Sequence, residues 1–538
     1  MTYAPPRRLL ASSESVDLAD AAATRRLEQE AAVALPAHAL MARAGDALWR
    51  LARAVAPHAR SVWVAAGPGN NGGDGLVLAT LLHGAGVSVR VCLVGHEPDR
   101  ALPPDAAWAL QAAREAGVPM TGELPGAHAQ ELGRHDLAVD ALLGVGQARA
   151  PTGALLSALG QMNSAGVPVL AVDVPTGLSS DTGACCGDAV VRADHTLTLL
   201  TPKPGLFTGA GRDACGEIWF DDLGCGPAAS TTAASAPLTL AGAGQAGTVY
   251  APRRHGTHKG SYGDVHVAGG AAGMVGAALL AAHAAAAAGA GRVLVHAHAS
   301  DAGGLLPVDL LHPELMLRPA AELMPALRND ARSIVVAGCG GGSDVARVLP
   351  GCLAQAARLV LDADALNAIA RDPALRKALQ QRTDRGRPTV LTPHPLEAAR
   401  LLDIDAGEVQ ADRLRAARRL ARETGAIVVL KGSGTVVARP SGAASINPTG
   451  DARLASAGTG DVLAGWLGGT WAAHAGAAGR SAAGAEGDDV AWDVAVAAVY
   501  VHGAAAAQGR HRRGPLLASA LVDALTRAVD ALPAAGGR

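Results

Sequence analysis

Polar residues that could do chemistry follow three apolar runs in the N-terminal half of the chain. Carboxylate, amide and hydroxyl oxygens at such positions can bind a hard cation, and a positioned carboxyl group can move a proton. A single Asp there more often caps a helix or a turn, but three polar loops at one sheet edge favour a site. These residues are Asn70, Asn71, Gly72, Gly73 and Asp74 after the run 61–66, Asp140 within 137–143, and Asp173 with Thr176 at the end of 167–174.

The first of these loops also contains a dinucleotide-binding pattern, Gly67-x-Gly69-x-x-Gly72. Such a loop holds a pyrophosphate because backbone N–H groups and a helix N-terminus face the anion. A carboxylate at Asp74 opposes that anion, and the acid that would bind the ribose is poorly placed, since only Glu97 follows the end of the second apolar run. An NAD-dependent dehydrogenase is therefore the weaker interpretation.

The C-terminal half carries its clearest motif at 456–469, SAGTGDVLAGWLGG. Gly460 would open a helix whose N–H groups point at a transferring phosphoryl group, and Asp461 could take a proton from a substrate hydroxyl. A glycine turn with a capping Asp is the simpler alternative. The turn 431–435 offers an ammonium, hydroxyls and backbone donors to a phosphate, and His394 follows a further apolar run. The members of that turn are Lys431, Gly432, Ser433, Gly434 and Thr435.

Apolar runs alternate with helical stretches in both halves, which predicts an α/β fold with two doubly wound, mainly parallel sheets. In such sheets ligands bind at the carboxyl ends of the strands, where the polar residues above lie. A stretch of small and polar residues at 227–247 predicts a linker between domains 1–226 and 248–538. Residues 473–493 are of low complexity and predict a loop inserted between the last helices.

Composition excludes several classes of partner. The 46 Lys and Arg residues nearly balance 48 Asp and Glu residues, so no charge signal for nucleic acid or an anionic membrane is present. The alanine-rich run 277–291 is short and interrupted by His283, which favours a buried helix over a membrane span. Seven cysteines without C-x-x-C spacing, and an N-terminus without an apolar signal core, predict a cytoplasmic protein with a small-molecule ligand. Whether it forms a homo-oligomer stays open.

The N-terminal half resembles NAD(P)HX epimerases, through LMARAG (40–45), GPGNNGGDG (67–75), VDALLGVG (139–146), AVDVPTGLSSDTG (171–183) and TLTLLTPKPGLFTG (196–209). The resemblance implies a Rossmann-like three-layer sandwich that epimerises the hydrated nicotinamide of NADHX and NADPHX, with Asp140 and Asp173 as candidate acids. It implies a potassium site at Asn71, Asp140 and Thr176. The substrate residues it implies are Asn70 to Asp74, Asp173 and the loop Gly144, Val145, Gly146, Gln147, Ala148, Arg149 and Ala150.

The C-terminal half resembles ADP- or ATP-dependent (S)-NAD(P)H-hydrate dehydratases of the ribokinase-like superfamily, from 258–282 to GTGDVLAG (458–465). The resemblance implies that Ala277, Gly340, His394 and Asp461 contact the substrate, and that Lys431 to Thr435 and Gly460 bind an adenine nucleotide with Mg²⁺. Asp461 would be the catalytic base. Two departures stand out: GCGGG at 338–342 replaces the usual GPGLG-like turn, and Leu396 replaces a glycine.

Together the two halves predict a bifunctional repair enzyme that equilibrates the R and S hydrates and dehydrates the S form. The motifs do not distinguish ADP from ATP as phosphoryl donor, and the resemblance to prokaryotic two-domain members favours ADP. Two alternatives belong to other classes. A ribokinase-like small-molecule kinase would explain the GTGD motif but not the N-terminal loops. A non-catalytic nucleotide-binding module would explain the N-terminal half only if Asp140 and the loop 70–74 were incidental.

Overall fold

The computed structural model describes residues 5–9, 14–97, 99–124, 132–147, 149–226, 236–299, 308–330, 332–477, 488–508 and 514–533. The chain forms two compact units, one of residues 1–12 and 17–234 and the other of 13–16 and 235–538. Each unit is built on its own sheet.

The strands of the described residues, numbered along the chain, are β1 (Arg7–Arg8), β2 (Val16–Asp17), β3 (Ser61–Ala66), β4 (Ser88–Leu93), β5 (Met120–Thr121), β6 (Leu137–Ala141), β7 (Val169–Val172), β8 (His195–Leu199), β9 (Glu217–Asp221), β10 (Leu238–Leu240), β11 (Asp264–Gly269), β12 (Arg292–Ala297), β13 (Met316–Pro319), β14 (Ile334–Ala337), β15 (Arg358–Leu361), β16 (Thr389–Leu391), β17 (Ile427–Leu430), β18 (Val436–Ala438) and β19 (Ala444–Ile446).

The helices are α1 (Ala21–Ala34), α2 (Ala39–Val55), α3 (Asn70–Gly84), α4 (Pro104–Glu115), α5 (Gly153–Ser164), α6 (Gly211–Ala214), α7 (Ala243–Val249), α8 (Val275–Ala287), α9 (Leu323–Asn329), α10 (Val345–Gln355), α11 (Ala363–Arg371), α12 (Pro373–Asp384), α13 (Pro395–Leu402), α14 (Ala406–Ala411), α15 (Arg413–Thr424), α16 (Thr459–Ala477), α17 (Asp488–Ala507) and α18 (Ala518–Asp530).

The sheet of the N-terminal unit has the order β1-β9-β8-β7-β6-β3-β4-β5 and is parallel except for the antiparallel edge pair β1–β9. Its central strands are buried along their length, because helices cover both faces. The chain order reverses between β3 and β6, so the carboxyl ends of these two strands form the edge where a doubly wound fold binds its ligand. The predicted fold class of this half is confirmed.

The sheet of the C-terminal unit has the order β13-β12-β11-β14-β15-β16-β17-β18-β19-β10-β2. Strands β13 to β17 are parallel, and β17, β18 and β19 then run antiparallel to one another. The described helices α8, α16, α17 and α18 pack on this sheet around one apolar core. The doubly wound prediction is therefore confirmed for this half too.

Close helix packing explains the excess of alanine and glycine in the C-terminal unit. A Cβ added at Gly465 of α16 would lie 1.9 Å from the carbonyl oxygen of Ala281 in α8, and one added at Gly469 would lie 2.2 Å from that of Ala285. The two helices can therefore approach backbone to backbone only because these positions are glycine. As predicted, the alanine-rich run forms a buried helix.

Two boundary predictions are wrong. The predicted linker 227–247 contains β10, which pairs in parallel with β19, and the start of α7. The small side chains of this segment show little strand pattern. It forms a strand because its backbone hydrogen-bonds to β19. The predicted insertion 473–493 is also partly helical, because α16 extends to Ala477 and α17 begins at Asp488; residues 478–487 lie outside the described residues.

Helix α17 is long and apolar enough between Asp489 and Ala507 to cross a membrane, judged by length and composition alone. It is 67% buried inside the unit, where Val494, Ala498 and Val501 belong to the apolar core. Burial among other helices accounts for its apolar sequence, as for the core helix of a globular domain.

Candidate functional site

A cavity of about 1060 Å³ lies at the carboxyl ends of the central strands of the N-terminal unit. Helix α3 begins there at Asn70, and its cap residue Gly69 offers no side-chain bond to the first turn, so N–H groups of that turn are left for a ligand. Gly72 is required at this turn, because a Cβ would lie 1.8 Å from the carbonyl oxygen of Gly67. Of the predicted residues, those that line the cavity are Asn70, Asn71, Asp74, Gly144, Val145, Gly146, Gln147, Arg149 and Asp173.

The remaining predicted residues of this unit lie elsewhere. Gly72 and Gly73 are buried in the first turn of α3, and Ala150 is exposed at the end of the loop 144–150. Ala148 lies outside the described residues. Asp140 and Thr176 are fully buried and are not among the lining residues.

Asp140 is held in a compact hydrogen-bond network at the end of β6. Its Oδ2 accepts from the backbone N–H of Thr176 at 2.7 Å, and its Oδ1 accepts from the Thr176 hydroxyl at 2.7 Å and from the N–H of Leu142 at 3.2 Å. Burial raises the pKa of Asp140 to about 6, although these hydrogen bonds act to lower it. No ion pair to Asp140 occurs within the described residues, so its charge is buried without a cationic partner.

Asn71 shares this region and is also incompletely paired. Its side chain is buried, and its Nδ2 has no hydrogen-bond partner in the described structure. A Cβ at Gly144 would lie 2.8 Å from the Asn71 Oδ1, so the glycine leaves the amide its place. An uncompensated carboxylate and an orphaned amide, which the structure keeps buried at a cost, are the features expected where a ligand or ion completes the bonding.

Asp173 carries the other carboxylate at the cavity wall, and its backbone is strained. Its φ is +65°, in the left-handed region that few non-glycine residues adopt. Lys203 forms an ion pair with its Oδ1, which also accepts from the N–H of Leu199 at 3.1 Å. The Lys203 side chain is only 1% exposed, so this cation is dedicated to Asp173 and the backbone around it.

Lys203 and Glu28 are site residues that sequence reasoning missed. Lys203 lies inside the motif TPKPG, but nothing in that motif says that its side chain turns back to the preceding strand. Glu28 lies on α1, before the first recognised motif, and reaches Asn70 by a side-chain hydrogen bond. No signal in the sequence distinguishes it from the other acids of that helix.

Acidic residues dominate the electrostatics of the cavity. Burial, reinforced by the charges of Asp173 and Glu28, raises the pKa of Asp74 well above its ordinary value. Burial and Asp173 likewise raise the pKa of Glu28. Carboxyl groups whose surroundings move their pKa values apart can act as an acid and a base at one site.

The candidate site of the C-terminal unit gathers at the carboxyl ends of β14, β15 and β17. Asp461 lies in the first turn of α16, and burial, followed by the charge of Asp362, raises its pKa to about 6. Lys431, directly after β17, donates from Nζ to Asp362 Oδ1 at 2.6 Å. Burial works against the charge of Lys431, but Asp362 and Glu397 more than offset it and raise its pKa.

The predicted nucleotide turn 431–435 connects β17 to β18. Gly432 and Gly434 adopt φ values of +134° and +61°, which glycine alone tolerates well. The buried guanidinium of Arg413 supports this turn, since its Nη2 donates to the carbonyl oxygens of Leu430 and Lys431 at 3.2 and 3.1 Å. Gly460 approaches it from α16: a Cβ there would lie 3.2 Å from the Lys431 Nζ. Ser433 and Thr435 belong to the same turn.

The glycine-rich turn 338–342 lies beside Ala277, as the resemblance implied. A Cβ at Gly340 would lie 2.9 Å from that of Ala277, and the φ of Gly340 is +58°. Asp364, which sequence reasoning missed, holds this turn by accepting from the N–H of Gly342 at 2.8 Å. Cys339 of the turn forms a side-chain hydrogen bond with Asp461.

His394 is a helix cap, and the structure places it near the same site. Its Nδ1 accepts from the N–H groups of Leu396 and Glu397 at 3.2 and 3.3 Å, and its Nε2 lies 3.3 Å from a Glu397 carboxylate oxygen. Burial and the charge of Lys431 lower the pKa of His394. The ring therefore caps α13 through Nδ1, while its Nε2 faces the Glu397 carboxylate.

Each unit thus has the features of an α/β enzyme with a ligand site at the carboxyl ends of its strands, one for a large polar ligand and one resembling a phosphoryl-transfer site. Residues 37–205 match the family of YjeF-related protein N-termini, and residues 265–527 match the NAD(P)H-hydrate dehydratase family. The chain is 37% identical over 416 residues to the bifunctional NAD(P)H-hydrate repair enzyme of Escherichia coli, a match that covers 77% of this chain and 76% of that protein. The enzyme of the same description from Coxiella burnetii is 38% identical, covering 74% of this chain and 78% of that protein.

Among solved structures, an ADP/ATP-dependent NAD(P)H-hydrate dehydratase from Bacillus subtilis, co-crystallised with ATP/Mg²⁺, is 28% identical and covers 54% of this chain and 96% of that one, with a TM-score of 0.43. The chain belongs to the bifunctional NAD(P)H-hydrate repair enzymes. It is an NAD(P)H-hydrate epimerase and dehydratase, and the small-molecule kinase and binding-module alternatives are not favoured.

Proposed function

We propose that residues 1–226 carry the epimerase and residues 248–538 the dehydratase, each acting at the site described above. The observation that carries this proposal is that each unit gathers carboxyl groups at the ligand edge of its sheet, Asp74 and Asp173 at the cavity wall in one, and Asp362 and Asp461 beside the start of α16 in the other. The matched family regions, 37–205 and 265–527, fall within these two spans.

In the epimerase, the hydrated nicotinamide would lie in the cavity with its phosphates near the first turn of α3 and the loop 144–150. Epimerisation requires that the hydroxyl-bearing ring carbon lose its configuration by opening or loss and regain it from the other face. Asp173 lines the cavity and forms an ion pair with Lys203, so it is suited to accept the proton that moves, while Asp74, whose pKa burial raises, is suited to supply one. Asp140 lies outside the cavity lining, and we assign it to cation binding rather than to proton transfer.

The residues Asn71, Asp140 and Thr176 fit a potassium ion by their chemistry. They offer an amide, a carboxylate and a hydroxyl oxygen, which a hard cation prefers. The carboxylate is buried without a cationic partner in the described structure, and the lack of a side chain at Gly144 leaves room for the Asn71 Oδ1 beside it. When bound, K⁺ would neutralise Asp140 and stabilise the loops that form the cavity floor.

In the dehydratase, Asp461 would accept the proton of the substrate hydroxyl, and the hydroxyl oxygen would attack the terminal phosphoryl group of ADP or ATP. The N–H groups at the start of α16 and the ammonium of Lys431 would stabilise the negative charge of that group. Phosphate then leaves with the oxygen, and loss of a proton from the neighbouring ring carbon restores the dihydronicotinamide. Phosphorylation converts a poor leaving group into a good one.

The nucleotide would bind along Lys431 to Thr435 and Gly460, and the (S)-hydrate would contact Ala277, Gly340 and His394. Mg²⁺ would be held chiefly by phosphate oxygens of the nucleotide and would neutralise their charge during transfer.

The seven cysteines are all free, which supports a reducing compartment such as the cytoplasm.

The experiment that tests these roles follows dihydronicotinamide absorbance in an R/S mixture of hydrated NADH, with the full chain, Mg²⁺, K⁺ and either ADP or ATP. We expect complete conversion of both epimers, and the nucleotide that supports it identifies the donor. Asp461→Asn should lower the dehydration rate by roughly 10²- to 10⁴-fold, because a general base is lost. Epimer exchange should persist.

Asp344→Asn is the matched control, because the half-buried Asp344 precedes α10 in the same unit and forms a salt bridge with the exposed Arg347. It should leave both activities unchanged. Full dehydration by the Asp461→Asn variant would remove Asp461 from the mechanism. Loss of both activities in that variant would contradict two separate sites.

A further inference from the structure

The glycine-rich turn after β14 places a thiol among the carboxylates of the C-terminal site. Cys339, Asp362 and Asp461 each present one ligand atom, and these three atoms all lie within 4.8 Å of one another. Cys339 and Asp362 are buried, and Asp461 is half-buried. No other group of three or more His, Cys, Asp or Glu side chains converges in this way within the described ranges.

Three separate elements hold this cluster, so its geometry does not depend on one flexible loop. The Cys339 carbonyl accepts from the N–H of Gly270, and the N–H of Asp362 donates to Ala337, both at 3.0 Å. Lys431 occupies Asp362 Oδ1. A Cβ at Gly460 would lie 3.9 Å from Asp362 Oδ2, so the second oxygen faces the start of α16, where Asp461 lies.

We propose that Cys339, Asp362 and Asp461 form a binding site for a thiophilic divalent cation such as Zn²⁺, and that this ion inhibits the dehydratase by occupying Asp461. Sulfur is a poor ligand for Mg²⁺ but a preferred one for Zn²⁺, so the thiol makes the site selective. The inhibition, but not the binding, rests on the proposed role of Asp461.

Distances and charges are compatible with such an ion. Zn²⁺ binds sulfur at about 2.3 Å and carboxylate oxygen at about 2.0 to 2.2 Å, and usually takes four ligands. Binding would require the half-buried Asp461 side chain to rotate toward the ion, with a water or substrate oxygen in the fourth position. On binding, the thiol proton of Cys339 passes to solvent, and the thiolate with two carboxylates then balances Zn²⁺ and Lys431.

The binding test uses Co²⁺ with the full chain in the absence of nucleotide, because a thiolate bound to Co²⁺ gives a charge-transfer absorption that oxygen ligands do not give. We expect this absorption in the wild type and its displacement by Zn²⁺. Cys339→Ser should abolish this absorption. If thermal unfolding shows that the serine variant does not fold, Cys339→Ala replaces it and should abolish the absorption as well. Cys352→Ser, which changes another buried thiol of the same unit, should leave it intact.

The inhibition test titrates Zn²⁺ against dehydration at fixed Mg²⁺ and nucleotide, each variant being referred to its own Zn²⁺-free rate. Half-inhibition should require at least about tenfold more Zn²⁺ in Cys339→Ser than in the wild type or Cys352→Ser, because a direct ligand is lost. Absence of the Co²⁺ absorption, or its persistence in Cys339→Ser, would overturn the site. Equal inhibition of all three proteins would overturn the regulatory claim, and absence of dehydration in every protein would contradict the proposed function while the Co²⁺ result still decides the metal site.

Discussion

At the residue scale, the two candidate sites are built around carboxyl groups that the fold places in different surroundings. Asp173 has a buried lysine beside it, whereas burial raises the pKa values of Asp140 and Asp461 to about 6. Sequence motifs identified all three acids. They did not reveal which of the three acids forms an ion pair, because Lys203 lies 30 positions after Asp173 and only the fold brings the two side chains together.

Because Lys203 and Asp173 form a buried ion pair, replacing the lysine alone should destabilise the protein, and replacing both residues should restore part of the stability. Lys203→Met should destabilise the N-terminal unit by about 3 to 5 kcal/mol, because it leaves a buried carboxylate without its counter-charge. The double variant Lys203→Met/Asp173→Asn should recover part of this loss. Denaturant unfolding of the full chain measures both. A single variant as stable as the wild type would contradict a dedicated ion pair.

The raised pKa of Asp140 predicts a pH-dependent effect of potassium. Because its folded pKa is above the ordinary value, the stability that the protonated carboxyl contributes is fully present below about pH 4 and is lost as pH rises through about 6. K⁺ would restore it by binding the ionised form. We therefore expect K⁺ to raise the melting temperature of the N-terminal unit clearly more at pH 7.5 than at pH 5.

Two comparisons make this potassium test specific. Asp140→Asn should remove the difference between the two pH values, and N(CH₃)₄⁺ at equal ionic strength should not reproduce the effect of K⁺ in the wild type. An equal K⁺ effect in the Asp140→Asn variant would argue against the cation site.

At the element scale, the sites are formed by helix starts that approach strand ends, and glycines set how closely they approach. Helix α3 reaches the loop after β6, and α16 reaches the turn after β17, because Gly144 and Gly460 carry no side chain toward their neighbours. Alternating apolar runs were enough to predict these strands. Strand β10 and the ends of α16 and α17 were not predicted, since their boundaries come from packing partners rather than from local pattern.

The contact between Gly144 and Asn71 gives a test of this spacing. Gly144→Ala would place a methyl group 2.8 Å from the Asn71 Oδ1 and push the amide aside. Epimer exchange should slow by at least about tenfold and its dependence on K⁺ should weaken, while dehydration of (S)-hydrate is unchanged. Exchange rates are measured on R-enriched hydrate.

Gly160→Ala on α5 is the matched control, because a Cβ there meets nothing within 4 Å. It should leave exchange at the wild-type rate. Unchanged exchange and K⁺ dependence in Gly144→Ala would show that the position of the Asn71 amide does not matter to the epimerase.

At the scale of the whole molecule, one chain joins two activities that act on the two forms of one damaged cofactor. Each unit has its own sheet, its own core and its own candidate site. A dehydratase specific for the S form leaves the R form behind unless an epimerase supplies it. Fusion in one chain keeps the two activities at equal amounts.

Separate sites predict that two defective chains can complement each other. A mixture of the Asp173→Asn and Asp461→Asn variants should convert the complete R/S mixture, because the hydrate released by one chain can diffuse to the other. Each variant alone should convert the mixture incompletely. Asp173→Asn should convert the S hydrate but the R hydrate only at the spontaneous rate of epimerisation, and Asp461→Asn should convert neither epimer. Absence of conversion in the mixture, with each single activity retained, would indicate that the substrate must pass within one chain.

The sequence by itself determined the two α/β units, the family and the loops that form the two candidate sites, because buried strands, glycine turns and polar strand ends are local patterns. Only the tertiary structure decided which charges meet. Lys203 with Asp173, Lys431 with Asp362, Glu28 with Asn70 and Cys339 with Asp461 are pairs from distant segments. The distances within these pairs depend on the order of the strands in the sheet, and the residue types and their spacing along the chain do not specify that order. The pKa values and the ligand sets of the sites follow from these distances.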